Sequence, residues 1–434
     1  MKKSFGFFLL LVLLTLLPWH AFLKTWLSSL FLGSNADFLP TISNVLSLWK
    51  EILLAVLIIV FLVFNKTKGF WQQFTRGHWV WLGAYVITLL LFAGIQAPNA
   101  IALILGIRTD LLFVPVLFLG ILVANRIDKK QFTNILWVSI ISLSIAVGIG
   151  ILAWFVSPDI GVNFGYSPYQ SSFVENKPLP VYHCLFIDEQ CIPRLQATFS
   201  GPNQAGSLMI LLLGLLATVI SNSQFYILHF TFLIPLIGLA LTFSRSAIIG
   251  AIVSSFMLVP RKIFLIALSG IVILTTGIFV LKSDLITHGL SSSEHWEKTI
   301  AGITRVIEKP LGTGFGTAGP VSRRLFGPEK ALISENWYLQ IAEEGGIVPS
   351  LVFIAWLGML IYRLFKKTER FARTMAFVLL ATSLQAFFLH LWEDSVVTML
   401  IWFFVGLALS HQKYPPNHQD HHTLSREAAG LTVE

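Results

Sequence analysis

Thr133-Asn-Ile-Leu-Trp-Val-Ser-Ile-Ile-Ser-Leu-Ser-Ile-Ala-Val-Gly-Ile-Gly-Ile-Leu-Ala-Trp-Phe-Val156 contains no charged side chain. A helix that crosses the hydrocarbon of a bilayer needs about 20 mostly apolar residues, and this stretch exceeds that length. Comparable runs lie near 5–23, 46–64, 79–97, 104–124, 204–221, 224–242, 246–260, 263–281, 346–363, 373–390 and 395–411. The pattern predicts an all-α polytopic membrane bundle of about twelve transmembrane helices. The fourth run carries Arg108 and Asp110 near its start, and the eighth is short enough to be tilted or partly broken.

Composition agrees: of 434 residues, 55% are apolar and 12% charged, which leaves no room for a large soluble domain. The net charge of +8 does not point to nucleic acid, because the basic residues sit in short clusters between apolar runs. Lys66, Lys68 and Arg76 follow the second run, and Arg126, Lys129 and Lys130 the fourth. Arg261 and Lys262 follow the eighth, and Lys366, Lys367, Arg370 and Arg373 the tenth. Counted as spans, all four clusters fall on one side, which the positive-inside rule makes cytoplasmic. Both termini are then expected in the cytoplasm, with loops 157–203 and 282–345 on the opposite face. The first run continues to about Leu23 without a small-residue cleavage site, so a retained helix is expected rather than a cleaved signal peptide.

The chain divides into residues 1–156 with five N-terminal spans, a core at 157–363 with both large loops, two last spans at 364–411, and a tail at 412–434. The tail holds His418, His421 and His422 beside Asp420 but is expected to be a disordered cytoplasmic end, because a short polar terminus fixes no ligand geometry. The only two cysteines, Cys184 and Cys191, share the first exported loop, where an oxidising compartment would close a disulfide across a short hairpin; free thiols are the alternative.

Three segments place polar chemistry at the exported boundary, where basic residues oppose the topological rule. Arg194-Leu-Gln-Ala-Thr-Phe-Ser-Gly-Pro-Asn203 ends in a turn with helix-capping atoms and leaves Arg194 close to the bilayer surface, either snorkelling or functional. Leu241-Thr-Phe-Ser-Arg245-Ser-Ala is a tight connection in which Arg245 either pairs with a carboxylate or faces an anion such as phosphate. The third segment runs from Pro310-Leu-Gly-Thr-Gly-Phe-Gly-Thr317 to Ser334-Glu-Asn-Trp-Tyr-Leu-Gln340, followed by Glu343, Glu344 and Gly345. Its glycines lack the preceding strand and the Gly-Lys-Ser/Thr ending of a nucleotide loop. Glu335 could take a proton from a hydroxyl nucleophile, or the cluster could be a solvated helix start. His183, His288 and His295 fit no metal spacing and are expected at the surface; Lys50 with Glu51, and Glu393 with Asp394, are expected as boundary residues or structural pairs.

In this order the motifs resemble the O-antigen ligase and polymerase superfamily of bacterial envelope glycan enzymes, most strongly from Arg194 to Ile361. The resemblance implies transfer of a glycan from a polyprenyl diphosphate carrier to a hydroxyl acceptor (lipid, glycan or protein), without metal or other cofactor, at the outer face of the bacterial cytoplasmic membrane. Arg194 and Arg245 would hold the diphosphate and Glu335 would be the base, with Asn203, Asn336, Tyr338 and Glu344 binding substrate. The best known ligases place a histidine where this chain has Glu335, whose proton affinity partial burial would raise. Polymerase and protein-glycosylating activities share the motifs. From another class, a small-anion or lipid-linked glycan transporter would need charges at the bilayer midplane on broken helices. A noncatalytic scaffold would be indifferent to loss of Arg194 or Arg245.

Overall fold

The computed structural model describes residues 2–32, 46–63, 76–170, 181–187, 190–220, 231–258, 289–327 and 329–410. The expected span at 263–281, the basic residues Lys66, Lys68, Arg261 and Lys262, His288 and the tail lie outside these residues.

The protein is a helical membrane protein. Four helices are long and apolar enough to cross a bilayer: Phe5–Leu30, Lys129–Val156, Pro202–Val219 and Ile347–Lys366. The first is α1 (Lys2–Leu16) joined through a 3-10 turn at Pro18 to α2 (His20–Leu32). After α3 (Trp49–Val63) and α4 (Arg76–Ile95), the expected fourth span is two helices, α5 (Ala100–Leu111) and α6 (Phe113–Ala124), bent by 42°. Pro115 explains the break: it offers no N–H, and its ring clashes with the carbonyl four residues back, at Leu111. Then follow α7 (Lys129–Val156), α8 (Pro202–Ile220), α9 (Leu233–Leu241) and α10 (Arg245–Leu258).

The loop after α7 corrects the all-α expectation. It carries a three-stranded sheet in the order β1 (Ser167–Gln170), β2 (Val181–Ile187), β3 (Gln190–Pro193), with β1 parallel and β3 antiparallel to β2. Val181-Tyr-His-Cys-Leu-Phe-Ile187 is rich in aromatic and β-branched residues and favours pairing over helix. Cys184 opposes Pro193 in the register, Cys191 opposes Phe186, and Cys184 is disulfide-bonded.

The second loop contains α11 (Gly289–Glu308), α12 (Gly319–Phe326) and α13 (Trp337–Gly345), and the chain ends in α14 (Ile347–Lys366), α15 (Arg370–Gln385) and α16 (Ser395–Ser410). Every residue from Val396 to Ser410 is buried, as a helix apolar all round requires. α16 crosses α6 with glycines at the contact: a Cβ on Gly120 would overlap the Phe403 carbonyl, and one on Gly406 the Leu117 carbonyl. Around that crossing, Phe113, Phe353, Trp356 and Trp402 interlock, with Trp356 stacked on Trp402 at 5.5 Å.

The bundle has two chemically different ends. At one, the Lys367 ammonium donates to the carbonyls of Ala408 (3.0 Å) and Leu409 (2.6 Å), and Ser410 bonds Asn125 at 2.8 Å. A cation there complements the negative end of the α16 dipole. The other end gathers the three motifs.

Candidate functional site at the motif end

Each of the three segments contains one non-glycine residue in the left-handed region: Ala197 (φ 51°), Phe243 (φ 49°) and Glu335 (φ 52°). Among the described residues no other non-glycine residue has positive φ. Such conformations cost of order 1–3 kcal/mol each and persist where surrounding contacts over-determine them.

Those contacts join the first two segments. The Leu195 N–H donates to the Leu241 carbonyl at 2.9 Å. Arg194 donates through Nε to the Thr242 carbonyl at 2.9 Å and through its terminal nitrogen to Asn203 Oδ1 at 3.1 Å. This places Arg194 in electrostatic contact with Arg245, and the guanidinium is pulled down to about 10 by burial and by that neighbouring charge. His183 lies beside the same guanidinium; burial and Arg194 lower its imidazole to about 4. The Arg194 backbone N–H donates to the His183 carbonyl at 2.9 Å, and the histidine is partly buried rather than fully at the surface.

Glu335 is gripped by α11. Lys298 donates to Oε1 at 2.6 Å, and His295 bonds Oε2 through Nδ1. Burial raises the carboxyl's proton affinity, as expected, but these two partners outweigh it and hold the pKa at about 2. The expectation that burial would make Glu335 a stronger base is therefore reversed, and His295 is not an isolated surface histidine. Farther along α11, Arg305 donates to Glu343, through Nε at 2.7 Å.

The other named residues have internal partners. Asn336 caps α13, its Oδ1 accepting from the N–H groups of Tyr338 (2.9 Å) and Leu339 (3.0 Å). The buried Tyr338 hydroxyl donates to the Ser383 carbonyl at 2.8 Å. Glu344 is buried and accepts the Ala318 N–H at 3.1 Å. The glycine string winds past it: the Gly314 N–H donates to the Glu344 carbonyl, and Phe315 N–H to Ala93, both at 2.9 Å. Gly314 has φ 103° and packs so closely on the Gln96 carbonyl that any side chain would clash. The string is a buttress and presents its amides to the protein.

The turn from Ser383 to Asp394 was not legible as part of a site, yet it ties the segments together. Asp394 accepts from Ser200 and caps α16 through the N–H groups of Val396 (2.9 Å) and Val397 (3.0 Å). Gln385 Oε1 accepts from Ser207 at 2.9 Å, and the Ala386 carbonyl accepts the Trp337 N–H at 2.9 Å. His390 Nε2 accepts the Glu335 N–H, so Nδ1 carries the proton and donates to Gln340 Oε1 at 2.5 Å. Below this turn, buried Asp110 and Glu344 lie against one another. Lys50, Glu51 and Arg108 form a linked ion group, with Lys50 at 3.2 Å and Arg108 at 2.5 Å from the same carboxylate oxygen. Among the described residues no group of three or more His, Cys, Asp or Glu is arranged to hold a metal ion.

No protein-family profile matches the chain, and no curated protein matches it.

Proposed function

We propose that this is a twelve-span protein of the bacterial cytoplasmic membrane, with its motif end outside, that transfers a glycan from a polyprenyl diphosphate to a hydroxyl acceptor in the manner of an O-antigen ligase. The observation that carries this reading is the tie between the two arginine segments, in which the Leu195 N–H bonds the Leu241 carbonyl and the Arg194 guanidinium bonds the Thr242 carbonyl, three residues before Arg245. Two like charges held together from separate loops oppose each other, and a diphosphate relieves that cost through paired charge-assisted hydrogen bonds. The Lys366, Lys367, Arg370 and Arg373 cluster, at the end opposite the motifs, supports the orientation.

In this reading the base is a pair. Glu335 accepts from His295 Nδ1 and so leaves Nε2 directed away, able to take the acceptor's hydroxyl proton, while the carboxylate stabilises the resulting imidazolium. The acceptor oxygen bonds to the anomeric carbon, the bond from that carbon to the diphosphate oxygen breaks, and the anion leaves against the arginines. Purified protein tests this with a polyprenyl diphosphate glycan donor and lipid, glycan and peptide acceptors. Transfer by the native chain, lost in folded Arg194→Ala, Arg245→Ala and His295→Ala, supports the proposal; no transfer to any acceptor sinks it.

One observation favours a transporter: the α5–α6 break at Leu112 lies beside buried Asp110 and Glu344, and charges on a broken helix are a transporter's signature. Solute flux in liposomes that disappears with Asp110→Asn would favour that reading.

A further inference from the structure

α11 has three distinct faces. His295, Lys298, Gly302, Arg305 and Val306 turn toward α13 and its preceding loop, where the two ion pairs form and where a Cβ on Gly302 would meet Ser334. Glu297, Thr304 and Glu308 are exposed and polar. The remaining edge carries Trp296, Ile300, Ile303 and Ile307, spaced four, three and four residues apart and therefore aligned along one side. All four are exposed, Trp296 at 65% and Ile307 at 71%.

This edge does not stop at the helix end. Leu311, also exposed, follows it, and the intervening backbone is fastened to the tops of two apolar helices. Gln96, just past α4, donates to the Leu311 carbonyl at 2.9 Å, and the first N–H of α14, at Ile347, donates to the Pro310 carbonyl at 3.0 Å. Immediately beyond those anchors are Leu91 and Ile95 of α4 and Val348 and Leu351 of α14, all exposed. α14 is among the helices long and apolar enough to cross a membrane, so its exposed apolar side faces hydrocarbon.

We infer that α11 is an interfacial helix whose Trp296–Ile300–Ile303–Ile307 edge is seated in the bilayer leaflet at the motif end, continuous with the lipid-facing sides of α4 and α14. The occupant is lipid hydrocarbon. An amphipathic helix in the interface buries its apolar edge by several ångströms and leaves its polar edge wet, which is the division seen here. The helix that touches lipid is also the helix that holds Glu335 and Glu343 on its opposite edge. The inference rests on the membrane reading and not on glycan transfer.

Spin labels on single introduced cysteines test it in phospholipid nanodiscs, with Cys184 already disulfide-bonded and unavailable to the label. Labels at Ile300→Cys and Ile307→Cys should be relaxed by oxygen several-fold more than by a water-soluble nickel chelate, and labels at Glu297→Cys and Thr304→Cys should show the reverse. Nickel access at 300 and 307 equal to that at 304 would overturn the inference in favour of solvent. Exclusion of both reagents there would overturn it in favour of a protein partner or a second copy. Leu351→Cys is the control: a label at that site lacking the oxygen preference would place the fault in the membrane reading itself.

Discussion

His390 accepts the backbone N–H of Glu335 at 3.0 Å across 55 residues of sequence. The bond fixes a left-handed residue from outside its own segment and requires a neutral imidazole. Burial lowers His390 to about 4, Glu335 opposing and Lys298 reinforcing that shift.

The sign of the resulting pH dependence follows. Between 6.5 and about 4 the unfolded chain binds the proton that folded His390 refuses, so stability falls as pH drops through that window. Glu335 is displaced in the same direction from its own reference value: its pairs are fully stabilising above 4.5 and are lost as pH falls toward about 2. In detergent both groups pull the thermal midpoint down as the medium is acidified, His390 between 6.5 and about 4 and Glu335 below 4.5. His390→Ala should flatten the part between 6.5 and 4, and an unchanged slope in that variant would refute the assignment.

Removing the same imidazole at neutral pH leaves the Glu335 N–H without its acceptor, at a cost of about 1–3 kcal/mol. His390→Ala should lower the glycan-transfer kcat by more than KM rises, because it disturbs the Glu335–His295 pair and not the diphosphate site.

Arg194→Lys keeps a charge but cannot reproduce bonds to both Thr242 and Asn203. It should weaken binding of a polyprenyl diphosphate by about tenfold or more, which corresponds to about 1.4 kcal/mol. Titration calorimetry in detergent checks this; equal affinity in the variant would mean that Arg194 does not meet the anion.

Gly406→Leu forces a side chain into the Leu117 backbone at the α6–α16 crossing. Overpacking of that kind costs about 1–3 kcal/mol, so the variant should show a lower unfolding midpoint or fail to accumulate. Gly358→Leu, where nothing lies within 4 Å of the added Cβ, is the tolerant control.

Much of the helical framework was legible because apolar length is a local property: 133–156, 204–221 and 346–363 fall on α7, α8 and α14 with small shifts at their ends. The three polar segments were legible because glycine, arginine and carboxylate are out of place at a membrane boundary. The sheet at Val181–Ile187 was hidden by its shortness within an irregular loop. The hub from Ser383 to Asp394 was hidden for a different reason. Its role comes from single side chains such as His390 and Asp394 meeting partners 55 and 194 positions away, and no spacing within the hub reports those partners. His295 was seen but misplaced, since helical periodicity fixes the side of α11 it occupies and not which residue that side meets.

The central position of α16 also has a consequence for biosynthesis. Among the described helices it is the last to emerge from the ribosome, yet it is enclosed on every side. The earlier helices must therefore wait in the bilayer around an unfilled groove, and Asp394, which docks Ser200, arrives with the same final segment. A nascent chain stalled before this point has the partners that join its arginine segments, Leu195 with Leu241 and Arg194 with Thr242, but Ser200 still lacks Asp394, which arrives with the start of α16.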